Sequence, residues 1–227
     1  MQAQGNDFVI LDGMDNILPK LTPSFIQHIC DRHLGIGCDQ LLVLQPSNQA
    51  DRLMLIYNAD GSQAANCGNG LRCVGDLLMR KLGKDIVSIA LANRIVEAKR
   101  TDKGIQVAMG QAYIEAMTDD YVDVLIGNAH RVYFQQKTHP CPERNVETIH
   151  KYDDRHAVIT IIERGAGETL ACGSGACATA VAIWSKTATS NPLIIHMPGG
   201  SVIVSKVLQD IYLCGEVCAI CDGIYYC

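Results

Sequence analysis

The stretch Cys67-Gly68-Asn69-Gly70-Leu71-Arg72-Cys73 governs the reading of this chain, because it returns as Cys172-Gly173-Ser174-Gly175-Ala176-Cys177. A polar, glycine-containing turn precedes each copy: Asn58-Ala-Asp-Gly-Ser62 before the first, Glu163-Arg-Gly-Ala-Gly-Glu-Thr169 before the second. Each copy leads into apolar residues at helical spacing. They are Leu71, Val74, Leu77, Leu78 and Leu82 in the first, and Cys177, Ala180, Val181 and Trp184 in the second. Two copies are too few for a solenoid. They predict two similar half-domains facing each other across a cleft.

Working outward, short apolar runs bounded by turn residues predict strands at Phe8–Leu11, Leu41–Gln45, Leu53–Tyr57, Ile86–Val96 and Ile105–Met109. In the second half, which begins near residue 111, they recur at Tyr121–Ile126, His156–Ile162, Leu193–Met197 and Val202–Val207. Ile211–Ile224 is mostly strand-like. Thr22-Pro23 predicts a helix start, with Thr22 as N-cap and Pro23 at the first helical position, running through Cys30. Many strands with few helices predict an α+β chain.

Composition excludes several classes. The 227 residues are 48% hydrophobic and 19% charged with a net charge of −5, which is ordinary for a globular chain and argues against disorder. No Lys/Arg block stands out, so no nucleic-acid partner is expected. No apolar run reaches transmembrane length, and the first residues lack the basic and apolar regions of a secretory leader. No membrane partner is therefore expected. The 11 cysteines cannot all pair within one chain, and reduced thiols are the expectation.

A Cys-Gly-x-Gly segment opening a helix has a chemical logic. The glycines let backbone N–H groups point into a pocket. A helix N-terminus attracts anions and lowers the pKa of a thiol placed there. Two such thiols flanking a carboxylate suit proton transfer at the adjacent carbon. A thiolate on one face removes the proton, a thiol on the other delivers one, and the stereocentre inverts. Such a reaction needs no organic cofactor and no metal.

Beyond these two motifs, the chain carries Gly5-Asn6-Asp7-Phe8, Arg32-His-Leu-Gly-Ile-Gly-Cys-Asp-Gln40, Gly127-Asn128-Ala-His130, Glu143-Arg-Asn145-Val and Pro198-Gly-Gly200. Together they span both halves, and the chain resembles the diaminopimelate epimerases, cofactor-independent amino-acid epimerases. The resemblance implies two pseudo-symmetric α+β lobes, each a curved sheet around a central helix, with the active site between them. The lobes would be residues 1–111, rejoined by 217–227, and 112–216. It implies interconversion of LL- and meso-diaminopimelate on the route to lysine and peptidoglycan, a homodimer and a cytoplasmic location.

Carried over by motif, Cys67 and Cys172 are the base and acid. Gly68, Asn69, Gly173 and Ser174 hold the reacting carboxylate. Asn6, Gln40, Asn58, Asn128, Asn145, Glu163 and Arg164 line the substrate site, with Arg164 suited to the distal carboxylate. His130 would support the site. The remaining cysteines read as packing residues. Cys214, Cys218 and Cys221 lack the paired spacing of a zinc site.

The chain departs from the family pattern in two ways. Ala129 and Arg131 flank His130 where a proline and a small or apolar residue are usual. Residues 110–122 and 132–141 are short. Because the motifs stay intact while connecting elements are lost, segments missing from the chain fit better than true deletions. The main alternative is a racemase of another amino acid, such as histidine or 4-hydroxyproline, on the same fold. A thiol redox or metal protein, and an isomerase of the phenazine-pathway kind, rank lower. The latter should lack the cysteine pair.

Overall fold

The computed structural model describes residues 1–13, 17–134, 141–187 and 189–226. The first half runs β1 (Gln2–Ala3), β2 (Asn6–Asp12), α1 (Pro23–Cys30), β3 (Gln40–Gln45), β4 (Arg52–Asn58) and β5 (Gln63–Ala64). It continues with α2 (Gly68–Leu82), β6 (Ile86–Ala90), β7 (Ile95–Thr101) and β8 (Gly104–Gln111). After β9 (Tyr113–Met117), the second half runs β10 (Tyr121–Ile126), β11 (Asn128–Tyr133), β12 (Asn145–Tyr152), β13 (His156–Glu163) and β14 (Gly167–Thr169). It ends with α3 (Gly173–Lys186), β15 (Leu193–Met197), β16 (Gly200–Val207) and β17 (Asp210–Gly215).

The repeat in the sequence is a repeat in strand pairing. In the first half β2 and β3 run parallel, β4 is antiparallel to β3 and β5, and β4 runs parallel to β6. The meander β6–β7–β8 completes it. The second half repeats each step: β11 parallel to β12, β13 antiparallel to β12 and β14, β13 parallel to β15, then β15–β16–β17. The two lobes join where β17 pairs antiparallel with β8, from Asp210 opposite Gln111 to Gly215 opposite Ile105.

The strands of each half pack around one helix. Helix α2 packs on β1, β6, β7 and β8; α3 packs on β10, β11, β12, β15 and β16. Leu71, Val74 and Leu78 of α2 are fully buried, as are Ala176, Cys177 and Ala180 of α3. Each buried Leu or Val contributes about 1.5–3 kcal/mol over an exposed one. Gly83 ends α2 in the left-handed conformation (φ 64°), a glycine cap. Helix α1 starts as the sequence predicts, with the Thr22 side chain accepting from the Phe25 N–H (3.2 Å).

The structure departs from two sequence expectations. Ile86–Val96 is two strands, because Leu91 N–H closes a turn onto the Arg94 carbonyl. The last strand stops at Gly215 rather than Ile224. Beyond it the backbone makes one bridge, Cys218 opposite Gln2, and Tyr225 lies edge-on against Phe25 of α1 (6.2 Å). Residues 110–122 join the two halves. Strand β8 passes through one residue into β9, and β9 pairs antiparallel with β10. Most of the second short stretch, 135–140, lies outside the described residues.

Among the described residues, no helix is long and apolar enough to cross a membrane.

Candidate active site

The repeat places two cysteines in equivalent positions. Cys67 is the N-cap of α2, and its Sγ accepts from the Gly70 N–H (3.3 Å). Cys172 is the N-cap of α3, and its Sγ accepts from the Gly175 N–H (3.4 Å). The sulfur thus fills the capping role usually taken by a Ser or Asp oxygen. The first backbone N–H groups of each helix have no intrahelical acceptor.

The two helix starts meet. A Cβ on Gly173 would lie 3.0 Å from Asn69 Oδ1 and 2.8 Å from Leu213 Cδ2. One on Gly68 would lie 3.0 Å from the same Leu213 methyl. Only glycines let the helices approach this closely over Leu213 of β17. The Asn69 side chain bridges the lobes, donating to Asn6 Oδ1 (3.2 Å) and to the Ala171 carbonyl (3.4 Å).

Around this junction lies a cleft of about 980 Å³. Its wall includes Cys67, Cys172 and every residue expected to bind substrate. Gly68, Asn69, Gly173 and Ser174 are at the helix starts. Asn6, Gln40 and Asn58 come from the first lobe; Asn128, Asn145, Glu163 and Arg164 come from the second. Several are held by local bonds. Gln40 Nε2 donates to Asn58 Oδ1 (2.8 Å), Asn6 Nδ2 to Asp39 Oδ2 (2.9 Å), and the Arg164 N–H to Asn145 Oδ1 (2.9 Å). Thr169 Oγ1 donates to Glu163 Oε1 (2.8 Å). The exposed Arg164 guanidinium makes no ion pair among the described residues.

His130 is not on the cleft wall. It is fully buried, its Nδ1 lies 2.8 Å from Glu147 Oε1, and its Nε2 has no hydrogen-bond partner. Glu147 escaped the sequence reading, although the period-2 alternation of β12 puts it on the same face as Asn145. The second missed residue is Arg72, a fully buried cation on α2. It donates to Asn69 Oδ1 (2.6 Å) and Gln4 Oε1 (2.8 Å) and has no carboxylate partner among the described residues.

Electrostatics reverse one expectation. The helix N-termini predict lowered thiol pKa values, yet burial pushes Cys67 up to about 11. The Gly70 N–H pulls only partly against it. Cys172 is raised too, by burial first, then by the nearby Glu163 and Glu147 carboxylates. Burial also raises Glu163. Arg72 is the nearby positive charge that favours the Cys67 thiolate. Burial thus favours the neutral thiol at both positions.

The other cysteines stay apart from this chemistry. Cys73 and Cys177 are fully buried on the helices. Cys214 is buried on β17, while Cys218 and Cys221 are exposed beyond it. Among the described residues, no three His, Cys, Asp or Glu side chains are placed to hold a metal ion.

Comparison with known proteins agrees with this architecture. The family pattern described as "Diaminopimelate epimerase" matches residues 1–115 and 126–218, breaking off within the short stretch noted above. The diaminopimelate epimerase of Sphingopyxis alaskensis is 34% identical over 260 aligned residues, covering 98% of this chain and 94% of that protein. That of Xylella fastidiosa strain M23 is 31% identical over 271, covering 100% and 95%.

Solved structures share the fold at lower identity. A PhzF-family phenazine biosynthesis protein of Bacillus anthracis superposes with a TM-score of 0.68 at 17% identity, covering 95% of this chain and 92% of that one. A hydroxyproline epimerase of Agrobacterium vitis with bound trans-4-hydroxy-L-proline gives 0.66 at 13% identity, covering 95% and 87%. With the family pattern matched across both lobes and relatives alike over nearly their whole length, the chain belongs to the diaminopimelate epimerase family.

Proposed function

We propose that this protein is an isomerase that epimerises LL-diaminopimelate to meso-diaminopimelate, with Cys67 and Cys172 as the paired base and acid. The observation that carries the assignment is the meeting of two helix N-termini, each capped by a cysteine, in one cleft lined by a full set of polar donors.

The free N–H groups of Gly68, Asn69, Gly173 and Ser174 hold the reacting α-carboxylate between the helix starts, where both dipoles favour negative charge. One thiolate then takes the α-proton from one face. The charge developing on the carboxylate is stabilised by the same N–H groups. The opposite thiol returns a proton to the other face, and configuration inverts. Half-buried Glu163 accepts from the substrate ammonium group, whose positive charge offsets the cost of forming a thiolate beside it. Asn6, Gln40, Asn58, Asn128 and Asn145 bind the polar groups at the substrate's far end, and Arg164 takes the distal carboxylate as a fork. His130, held by Glu147, supports the site from behind.

Arg164 and the surrounding amides favour a substrate with a second charged end over histidine or 4-hydroxyproline. In this reading the lobes are residues 1–111, rejoined by 217–227, and 112–216. The protein acts as a homodimer in the cytoplasm, supplying lysine and peptidoglycan synthesis.

The test is epimerisation of LL-diaminopimelate with no added cofactor, by the purified protein and by Cys67→Ala and Cys172→Ala. Each variant should lose activity by a factor of about 100 or more. Full activity in both variants would overturn the mechanism. Inversion of histidine or 4-hydroxyproline in place of diaminopimelate would overturn the substrate.

A further inference from the structure

A second pair of cysteines stands apart from the reacting pair. Cys30 is the last residue of α1, and Cys38 ends the loop leading into β3. The loop folds back onto the helix. The N–H groups of Ile36 and Gly37 both donate to the Ile29 carbonyl (3.1 and 3.0 Å), and the Cys38 N–H donates to the Cys30 carbonyl (3.2 Å). This places the two side chains together. Cys38 Sγ donates to Cys30 Sγ across 3.5 Å. Both residues sit in a small apolar cluster with Ile26, Ile29, Leu41 and Val43, at the edge of the cleft.

We propose that Cys30 and Cys38 form an oxidation site, closing to a reversible disulfide on reaction with a hydroperoxide. An S–S bond is about 2.05 Å long, so the sulfurs need to approach by only about 1.5 Å. Gly37, at φ 84°, gives the loop backbone freedom there. The two thiols are unlike. Hydrogen bonding from Cys38 pulls the Cys30 pKa down, and the same contact, with burial, pushes Cys38 up. Cys30 is thus the nucleophile and Cys38 the resolving thiol.

The chemistry balances. Cys30 thiolate attacks the hydroperoxide, the O–O bond breaks, and the alkoxide leaves as the alcohol after taking a proton. Cys30 is then a sulfenic acid. Cys38 sulfur attacks it, the S–O bond breaks, the S–S bond forms, and water leaves with the remaining proton. Two thiols are oxidised and one hydroperoxide is reduced.

Closure would reach the substrate site through the next two residues. Asp39 accepts from Asn6 Nδ2 (2.9 Å) and from Arg32 (2.8 Å), and Gln40 donates to Asn58 (2.8 Å). Drawing Cys38 toward Cys30 pulls these bonds out of line, so oxidation weakens substrate binding.

The test uses the Cys67→Ala/Cys172→Ala double variant, which removes the reacting thiols from the readout. It is treated with tert-butyl hydroperoxide and digested with trypsin. Cleavage after Arg32 separates the two cysteines, so a disulfide links peptide 21–32 to peptide 33–52. The linked pair should form, vanish on treatment with dithiothreitol, and never form once Cys38→Ser is added. Unlinked peptides, or a Cys30 carried on to a sulfinic acid in place of the disulfide, would overturn the proposal.

Calorimetry with diaminopimelate, an arm that rests on the epimerase reading, should show about fivefold weaker binding after oxidation, the loss of one hydrogen bond. Equal affinity before and after would overturn the link to the substrate site. Absence of binding by the reduced variant would count against the substrate reading alone, since the linked peptides decide the thiol pair by themselves.

Discussion

Gly173→Ala probes the junction of the two helix starts. The added methyl would lie 2.8 Å from Leu213 Cδ2 and 3.0 Å from Asn69 Oδ1. The same Leu213 methyl lies 3.0 Å from where a Gly68 Cβ would be, so it packs between the two helix starts. The Leu213 and Asn69 side chains must therefore shift, and with Asn69 the bonds it makes between the two helix starts. Overpacking of this kind costs about 1–3 kcal/mol. In a chain of this size that lowers Tm by about 2–4 °C per kcal/mol.

The catalytic loss should be larger than the stability loss suggests. Misplacing reacting groups by about 1 Å costs roughly 100-fold in rate. Gly83→Ala is the control. Gly83 is left-handed at φ 64° with open space around it, so its alanine costs about 1 kcal/mol of backbone strain far from the cleft. Calorimetric Tm and kcat/KM for diaminopimelate epimerisation are measured on both variants. The reasoning predicts comparable losses of Tm, with activity lost only in Gly173→Ala. Full activity in Gly173→Ala, or equal activity loss in both, would refute it.

Other predictions follow from the buried charges. Burial pushes Cys73 and Cys177 up to about 12 in the folded protein, against about 8.5 for an unfolded thiol, so the folded state holds these protons more tightly. That stability is present below about pH 8.5. It falls above it by about 1.4 kcal/mol per pH unit per thiol, so the urea midpoint should drop between pH 9 and 11; a flat midpoint contradicts the burial effect. Arg72→Gln removes the charge that favours the Cys67 thiolate, and alkylation of Cys67 in a Cys172→Ala background should shift to higher pH. An unchanged profile would show that Arg72 only packs. Glu147→Gln removes one of the charges that push Cys172 up, so alkylation of Cys172 should shift to lower pH in a Cys67→Ala background; no shift counts against that charge. Arg164→Met should raise KM by about 30-fold or more with a smaller change in kcat. A KM within twofold of the parent would remove Arg164 from substrate binding.

Much of this arrangement was legible in the sequence, for identifiable reasons. The duplicated Cys-Gly-x-Gly marked both helix starts, because a capping side chain followed by glycines is a local signal. The motifs carried the residues of the cleft wall because each is short and contiguous. Arg72 and Glu147 were not legible. Helix α2 is buried around its whole first two turns, from Gly68 to Gly75, so the one-face rule for helices hid a buried cation. Glu147 finds its partner, His130, on a neighbouring parallel strand, where the register is set by the fold rather than by spacing. The thiol pKa values were read in the wrong direction because the dipole is visible in sequence while the depth of burial is not.

Inversion by two cysteines on opposite faces takes two proton transfers, one at each sulfur. Its most direct test is the isotope content of both isomers early in a reaction in deuterium oxide. Starting from unlabelled LL-diaminopimelate, the inverted product should carry deuterium at every turnover while the recovered starting isomer stays unlabelled. Deuterium entering the recovered LL isomer as fast as the product would mean one base serving both faces, and would contradict the pairing of Cys67 with Cys172.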